Sequence, residues 1–292
     1  MSLLKLYKEY KHDQKLRNLF FEFTPKALYG ADFKLWYLKG GWNDNYHTYS
    51  LVNDQEMVAN VSFSTMDLIL DGQPIRGIQL ATVGTLPQYR KQGLSRQLME
   101  VVLEKCANDC ELVFLFANEG VLDFYPKFGF EPMEEYLFKI NISGVKPTFK
   151  ATQLSTNSKT DFELITGMAG NRLPVTRFFG SGNYEHILLW HLIYLFNECI
   201  WYLPEEEVIV VAEIEANVLH LYDILSARPY SFEGILPKIL SKSLDTVICY
   251  FTPELLNMDF QIFEKYEESP LFVKGNFPLN GQKFKFPALA QT

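Results

Sequence analysis

The chain has 292 residues, 48% of them apolar and 15% aromatic, enough to bury a large core and to form about two domains. Asp and Glu number 35 against 27 Lys and Arg, for a formal charge of -8, which argues against a nucleic-acid-binding protein but leaves room for a local basic pocket. The apolar content excludes general disorder.

No stretch reads as a membrane span: the longest apolar run, Ile187 to Phe196, is about ten residues where about 20 are needed. Lys5, Lys8, Glu9 and Lys11 interrupt the N-terminus, so no secretory signal is expected, and Met1-Ser2-Leu3 matches a cloning remnant. Cys106, Cys110, Cys199 and Cys249 show no paired framework, which implies buried free thiols and a cytoplasmic location. Cys106 and Cys110 lie one helical turn apart, but no third ligand is near, so no metal is expected.

Residues 3–39 read as helical, with Leu16, Leu19, Phe20 and Phe23 on one face and Pro25 as a break. The period then changes to two. Tyr49–Val52 is a strand, 53–56 a turn, and Val58–Leu70 one long strand or two. Asp71-Gly72-Gln73-Pro74 signals a hairpin into a strand from Ile75 to Thr85. A helix follows from about Leu94 to Cys106, with Leu94, Leu98, Val102 and Cys106 on one face. Glu111–Ala117 is a nearly all-apolar strand, as expected where both faces are covered. A short helix over Val121–Lys127 and a strand over Glu135–Ile142 complete a first domain of residues 1–142.

Residues 143–160 are polar and aperiodic and read as a linker. In the second domain, 161–292, residues 162–200 read as mostly helical. Val208–Glu215 and Val218–Leu225 form a hairpin, Phe232–Leu240 a helix and Thr246–Phe251 a buried strand. Leu271–Val273 and Phe284–Leu289 are late strands. The order strand, strand, helix, strand thus occurs twice.

The informative stretch is Thr82-Val83-Gly84-Thr85-Leu86-Pro87-Gln88-Tyr89-Arg90-Lys91-Gln92-Gly93-Leu94-Ser95-Arg96. A strand ends, a loop turns and a helix begins, leaving unpaired N–H groups at the positive end of the helix dipole. Gly93 removes a side chain where a phosphate must approach, and Arg90, Lys91 and Arg96 add charge. The pattern is neither a Walker loop nor a dinucleotide fingerprint.

It resembles the acetyl-CoA motif of the GNAT N-acetyltransferase superfamily, Arg/Gln-x-x-Gly-x-Gly/Ala, with Ser95 in the last position. Asn118-Glu119-Gly120-Val121-Leu122-Asp123-Phe124-Tyr125-Pro126-Lys127-Phe128-Gly129-Phe130 resembles the next motif of that family, Asn-x-x-x-x-x-Phe-Tyr-x-x-x-Gly-Phe. The closest branch is the enhanced-intracellular-survival type, with tandem GNAT-like halves. Relatives there carry a third, sterol-carrier-like domain, for which this chain is expected to end too early.

The resemblance implies an α/β (α+β) fold with a mixed, mostly antiparallel, splayed sheet, followed by a degenerate GNAT-like half that lacks the CoA loop. It implies an acyltransferase that moves acetyl from acetyl-CoA to a small amine or peptide amine, without metal. Val83, Gly84, Thr85, Arg90, Lys91, Gln92, Gly93, Leu94, Ser95 and Asn118 would hold the co-substrate, and Tyr125 would protonate the departing sulfur.

The base is open, because Gly77–Thr85 contains no Asp or Glu. Candidates are Glu119, Asp44 and His47, and by resemblance the carboxylate of Thr292. Trp36, Trp42 and Asp44 would line the acceptor pocket and suit a cationic amine, or the aromatics of this loop cap the core instead. His186 and His191 read as packing or surface residues. Family members are often oligomers, so a homo-oligomer is compatible. Two rival readings are a non-catalytic acyl-CoA sensor or scaffold, which the missing base favours, and a structural interaction module that binds no CoA.

Overall fold

The computed structural model describes residues 4–107 and 109–292. Met1 to Leu3, including the start of the expected N-terminal helix, lie outside them. The chain opens instead with strand β1, Lys5–Lys8, paired antiparallel with β2, Tyr46–Val52. Between them lie α1, Gln14–Ala27, and α2, Lys34–Leu38. Asp13 starts α1 by accepting from the Leu16 amide, and α1 continues through Pro25 to Ala27. Pro25 has no N–H to give the Phe21 carbonyl, so the helix forgoes one bond there, two residues before it ends.

Strands β3, Met57–Leu70, and β4, Gln73–Thr85, form one long hairpin. Its turn uses Asp71 and Gly72, both at positive φ, as a two-residue hairpin of this hand requires. Then come α3, Leu94–Cys106, β5, Leu112–Phe116, and β6, Glu131–Asn141. The short helix expected over 121–127 is two 3-10 turns, Glu119–Val121 and Tyr125–Phe128.

The expected linker carries only β7, Thr152–Gln153, before α4, Lys159–Ala169, begins. The helical expectation for 162–200 holds at α4 and α5, Glu185–Tyr194. Between them the chain extends into β8, Phe179–Ser181, which pairs with β3. Strands β9, Ile200–Leu203, β10, Val208–Glu215, and β11, Val218–Leu225, lead to α6, Phe232–Ile239, and β12, Thr246–Cys249. The last strand, β13, Phe260–Gly275, is far longer than the expected Leu271–Val273. Residues 284–289 are not a strand. Pro287 cannot donate to a ladder, and a 3-10 turn forms at Ala288–Ala290.

The described strands form one sheet in the order β1-β2-β3-β4-β5-β13-β6-β12-β11-β10-β9-β7, with β8 beside β3. Two pairings are parallel, β4 with β5 and β11 with β12; the others are antiparallel. The repeated order is visible in space. β3, β4, α3 and β5 correspond to β10, β11, α6 and β12, an antiparallel hairpin whose second strand runs parallel to the strand after a helix. β13 inserts between β5 and β6, so the second half completes the first half's sheet. Among the described residues no helix is long and apolar enough to cross a membrane.

Candidate active site

The site follows from where β4 and β5 separate. They pair only at Gly77–Leu112, Ile78–Val113 and Gln79–Phe114, although β4 runs on to Thr85. Beyond Gln79 the strands diverge. A β-bulge lies on the free part of β4: the register steps from Asn60–Gly84 to Ser62–Ala81, so Thr82 and Val83 face Val61 alone. Thr82 has φ 47°, uncommon for a β-branched residue. A buried polar chain holds the bulge. Asn60 Nδ2 donates to the Thr82 carbonyl at 2.8 Å and to Ser62 Oγ at 2.9 Å, and Asn60 Oδ1 accepts from Ser50 Oγ at 2.7 Å. Tyr46 and Thr82 pair through their hydroxyls.

The loop after β4 curls through Lys91 at φ 64° and Gly93 at φ 79° into α3. Asp13, Ser158 and Ser231 cap their helices with side chains; Gly93 cannot. Among the described residues no protein acceptor pairs with the amides of Lys91, Gln92, Gly93, Leu94, Ser95 or Arg96. No atom lies within 4 Å of where a Cβ on Gly93 would stand, so its role is conformation and open approach, not packing. Ser95, the departure from the family pattern, ties the helix start to the strand end through a 2.6 Å bond to Thr85 Oγ1. Arg90, Lys91 and Gln92 are exposed. Gly84 has another purpose: a Cβ there would meet Leu28 at 3.1 Å and Ala27 at 3.3 Å, so it admits α1 against β4.

The divergence opens into a cavity of about 580 Å³. The first half contributes Trp36, Tyr46, Leu80–Val83, Phe116, Asn118 and Tyr125. Tyr125 is 5% exposed, packed on Phe124, Phe130 and Phe272, and burial pushes its phenol up to about 12. Among the described residues no group hydrogen-bonds its hydroxyl.

Several expected site residues stand elsewhere. Trp42 is locked in a core of Tyr10, Phe20, Trp36 and Tyr46 and does not line the cavity. Asp44 is on the surface, its carboxylate paired with Lys11 at 2.8 Å. His47 pairs with Glu9 and stacks on Phe63, beside a separate polar groove. Glu119 is exposed on its turn and outside the cavity lining.

The second half supplies what sequence reasoning missed. His186, His191, Trp190, Phe196, Tyr222, Tyr250, Tyr266 and Glu268 all line the same cavity. His186 is 1% exposed with Nε2 on Ser64 Oγ at 2.9 Å, and burial pulls it down to about 3, so it is neutral. His191 Nε2 donates to the Gln291 carbonyl at 2.8 Å, and burial lowers its pKa also. Glu268 is the one charged side chain among the lining residues. Ser64, a polar residue in an otherwise apolar stretch of β3, is the sequence signal that points to one of them, since it meets His186.

Residues 12–133 match the family description Acetyltransferase (GNAT) domain. No curated protein is significantly similar in sequence. Solved structures are similar across nearly the whole chain. A conserved protein of unknown function from Enterococcus faecalis V583, described as a probable N-acyltransferase, has TM-score 0.59 and 14% identity over 94% of this chain and 72% of its own. Eis1 from Mycobacterium abscessus has TM-score 0.59 and 13% identity over 92% and 73%. A GCN5-related N-acetyltransferase from Kribbella flavida has TM-score 0.56 and 14% identity over 93% and 72%. Residues 12–133 thus match a GNAT acetyltransferase domain, and these neighbours share the fold through both halves of the chain.

Proposed function

We propose that this protein is an acetyl-CoA-dependent N-acetyltransferase acting on a primary amine by direct transfer. The observation that carries the reading is the row of unpaired amides from Lys91 to Arg96 beside the gap between β4 and β5, with Tyr125 in the cavity that gap opens. These residues fit acetyl-CoA as substrate. The amides of Lys91 to Ser95, the dipole of α3 and the Arg90 and Lys91 charges suit a pyrophosphate. The unpaired end of β4 at Val83–Thr85 suits a strand-like pantetheine arm, with Asn118 across the gap.

Tyr125 donates to the sulfur. With its phenol held near 12 it stays protonated, about 3.5 pH units above an alkyl thiol near 8.5. Full transfer to a free thiolate would run uphill. The phenol therefore acts by a hydrogen bond that strengthens as charge grows on the sulfur. Glu119, Asp44 and His47 stand outside the cavity lining and are not used. Thr292 lines the cavity, and in this reading its carboxylate is the base where the chain ends at that residue. An acceptor with positive charge suits Tyr222, Tyr250, Tyr266 and Glu268.

In this reading residues 1–142 bind acetyl-CoA and residues 161–292 are a GNAT-like half without a CoA loop. At the corresponding helix start of the second half the Ser231 hydroxyl already takes the Gly234 amide, and Ser231 and Pro229 stand where Gly93 and Lys91 stand in the first. The test is CoA release with a panel of primary amines, beside direct binding of acetyl-CoA. Binding with turnover supports the enzyme. Binding without turnover on any amine supports an acyl-CoA sensor, and no binding rejects both.

A further inference from the structure

The segment 284–292 enters the cavity as a strap with an anchored root and a clasped tip. At the root, Phe284, Lys285 and Phe286 are buried. Lys285 Nζ pairs with buried Glu135 at 3.1 Å, and the Phe286 amide donates to the same carboxylate at 2.7 Å. Lys285 also exchanges hydrogen bonds with Thr252. At the tip, Ala288, Leu289, Gln291 and Thr292 line the cavity.

Two side chains from different halves hold that tip. Gln79 lies where β4 and β5 begin to part and is 0% exposed. Its Nε2 donates to the Ala290 carbonyl at 2.8 Å. Its Oε1 accepts from the Thr292 amide at 2.6 Å and from Thr292 Oγ1 at 2.9 Å. From the other side, His191 donates to the Gln291 carbonyl at 2.8 Å. The carbonyl fixes the proton on Nε2, because an acceptor there requires a donor. Three consecutive residues, Ala290 to Thr292, are thus held by a primary amide and a neutral imidazole, with no charged side chain involved.

We propose that Gln79 and His191 are positioning residues that clasp the strap so that it forms the acceptor-side wall of the active site. The inference rests on the acetyltransferase reading for its kinetic consequence, and on the hydrogen bonds alone for the clasp. Gln79 explains why β4 can lack a carboxylate at the parting point: a Glu there could accept from Thr292 but could not donate to Ala290.

The groups differ in what can replace them. Gln79→Ala removes every bond, and Gln79→Glu removes the donor. His191→Gln keeps an N–H that can reach the carbonyl, whereas His191→Phe does not. The test is hydrogen exchange at the 284–292 amides, together with kinetics on spermidine or whichever primary amine the panel shows to be acetylated. In Gln79→Ala and His191→Phe the 290–292 amides should exchange at least tenfold faster. The acceptor KM should rise or kcat fall by tenfold or more, while KM for acetyl-CoA changes less than twofold. His191→Gln should recover most of both.

Unchanged exchange in Gln79→Ala and His191→Phe would overturn the clasp. So would faster exchange with unchanged acceptor kinetics, which would leave the strap a passive end. A His191→Gln variant that restores exchange but not kcat would overturn the positioning role and make His191 a proton carrier. If the wild type neither binds acetyl-CoA nor turns over, the acetyltransferase reading fails, and with it the wall role; exchange then reports only whether the hydrogen bonds form.

Discussion

Gly93 gives the most direct test of where the pyrophosphate would sit. Its φ of 79° lies in the left-handed region, and the space beyond its Cα is open. A side chain there meets no clash, so its cost comes from conformation and from what it presents to a ligand. Asn and Asp tolerate the left-handed region better than other non-glycine residues and have nearly the same shape. Gly93→Asn and Gly93→Asp should therefore lose similar stability, about 1 kcal/mol or less. They differ by one negative charge. At about 6 Å from a phosphate charge, that difference is worth roughly 0.7–2.8 kcal/mol for effective dielectrics of about 80 to 20. Against two phosphates it weakens binding at least tenfold. The assay is thermal unfolding with acetyl-CoA at 100 times the wild-type Kd, where binding adds about 2.7 kcal/mol. At about 2 °C per kcal/mol for a chain of this size, the wild type should shift by ~5 °C. A tenfold weaker variant keeps about 1.4 kcal/mol and a hundredfold weaker one about 0.4. Gly93→Asn should hold a larger shift than Gly93→Asp. Equal, full shifts in both would refute an anion site at the start of α3.

Three further expectations concern single groups. Tyr125→Phe should reduce kcat by about 10² while leaving stability near wild type, since the phenol oxygen has no partner to lose among the described residues. Because the phenol is pushed up to about 12, the group stays protonated through pH 10, and a kcat limb at pH 9–10 that vanishes in Tyr125→Phe would contradict the assignment. His186 is held down to about 3 by burial, against about 6.5 unfolded, so the unfolded chain takes up more protons below pH 6.5. Stability is full above that value and is lost as pH falls towards 3, by about 2 kcal/mol between pH 6.5 and 5. Urea unfolding should show this loss shrinking in His186→Gln, and an unchanged pH dependence would count against a buried neutral imidazole. Arg172 and Asp223 form a fully buried bidentate pair that also binds Tyr184, with Asp223 Oδ2 accepting at 2.9 Å. Asp223→Ala should cost about 3–5 kcal/mol by chemical denaturation, whereas Arg172→Met with Asp223→Leu should recover much of it.

Much of the first half was legible because its signals are local. The hairpin turn at Asp71-Gly72, the 3.6-residue period of α3 and the apolar β5 each depend on neighbours in sequence. The loop and open helix start before α3 were legible for the same reason, since strand end, glycine and helix start are contiguous. On the acceptor side only Trp36 and, by resemblance, Thr292 were legible among the residues that line the cavity. Trp42 and Asp44 have the composition of a cation pocket, but Trp42 is taken up by the α1 packing and Asp44 by Lys11. The residues that do face the cavity come from α5, β11, β12's end, β13 and the final segment, and only tertiary structure brings them together. β13 shows the same limit. Phe260-Gln261-Ile262-Phe263-Glu264-Lys265-Tyr266 breaks strict alternation where the register shifts against β6 between Ile262 and Glu264, and a second shift follows between Tyr266 and Leu271, so period-two reasoning found only Leu271–Val273.

The insertion of β13 also decides whether the two halves can be parted. A cut in the polar stretch after residue 142 looks harmless in sequence, because that segment is exposed and aperiodic. In the fold it would remove β13 from between β5 and β6, leaving each strand without that antiparallel neighbour. Leu271, Phe272 and Val273, all at most 4% exposed, would leave the core beside Leu112, Phe114 and Tyr125. Glu135 would lose both Lys285 and the Phe286 amide, which hold its carboxylate in the intact fold. Apolar strand edges freed in this way pair with other chains. Residues 1–142 expressed alone should therefore be aggregated or non-cooperative in unfolding, despite containing the whole GNAT match. Co-expression with residues 143–292 should restore a soluble complex by size-exclusion chromatography. A monomeric 1–142 fragment with a cooperative transition would show that β13 is an accessory to the first sheet. A fragment that folds only with its complement would show that the two halves form one folding unit, with the insertion of β13 as the reason.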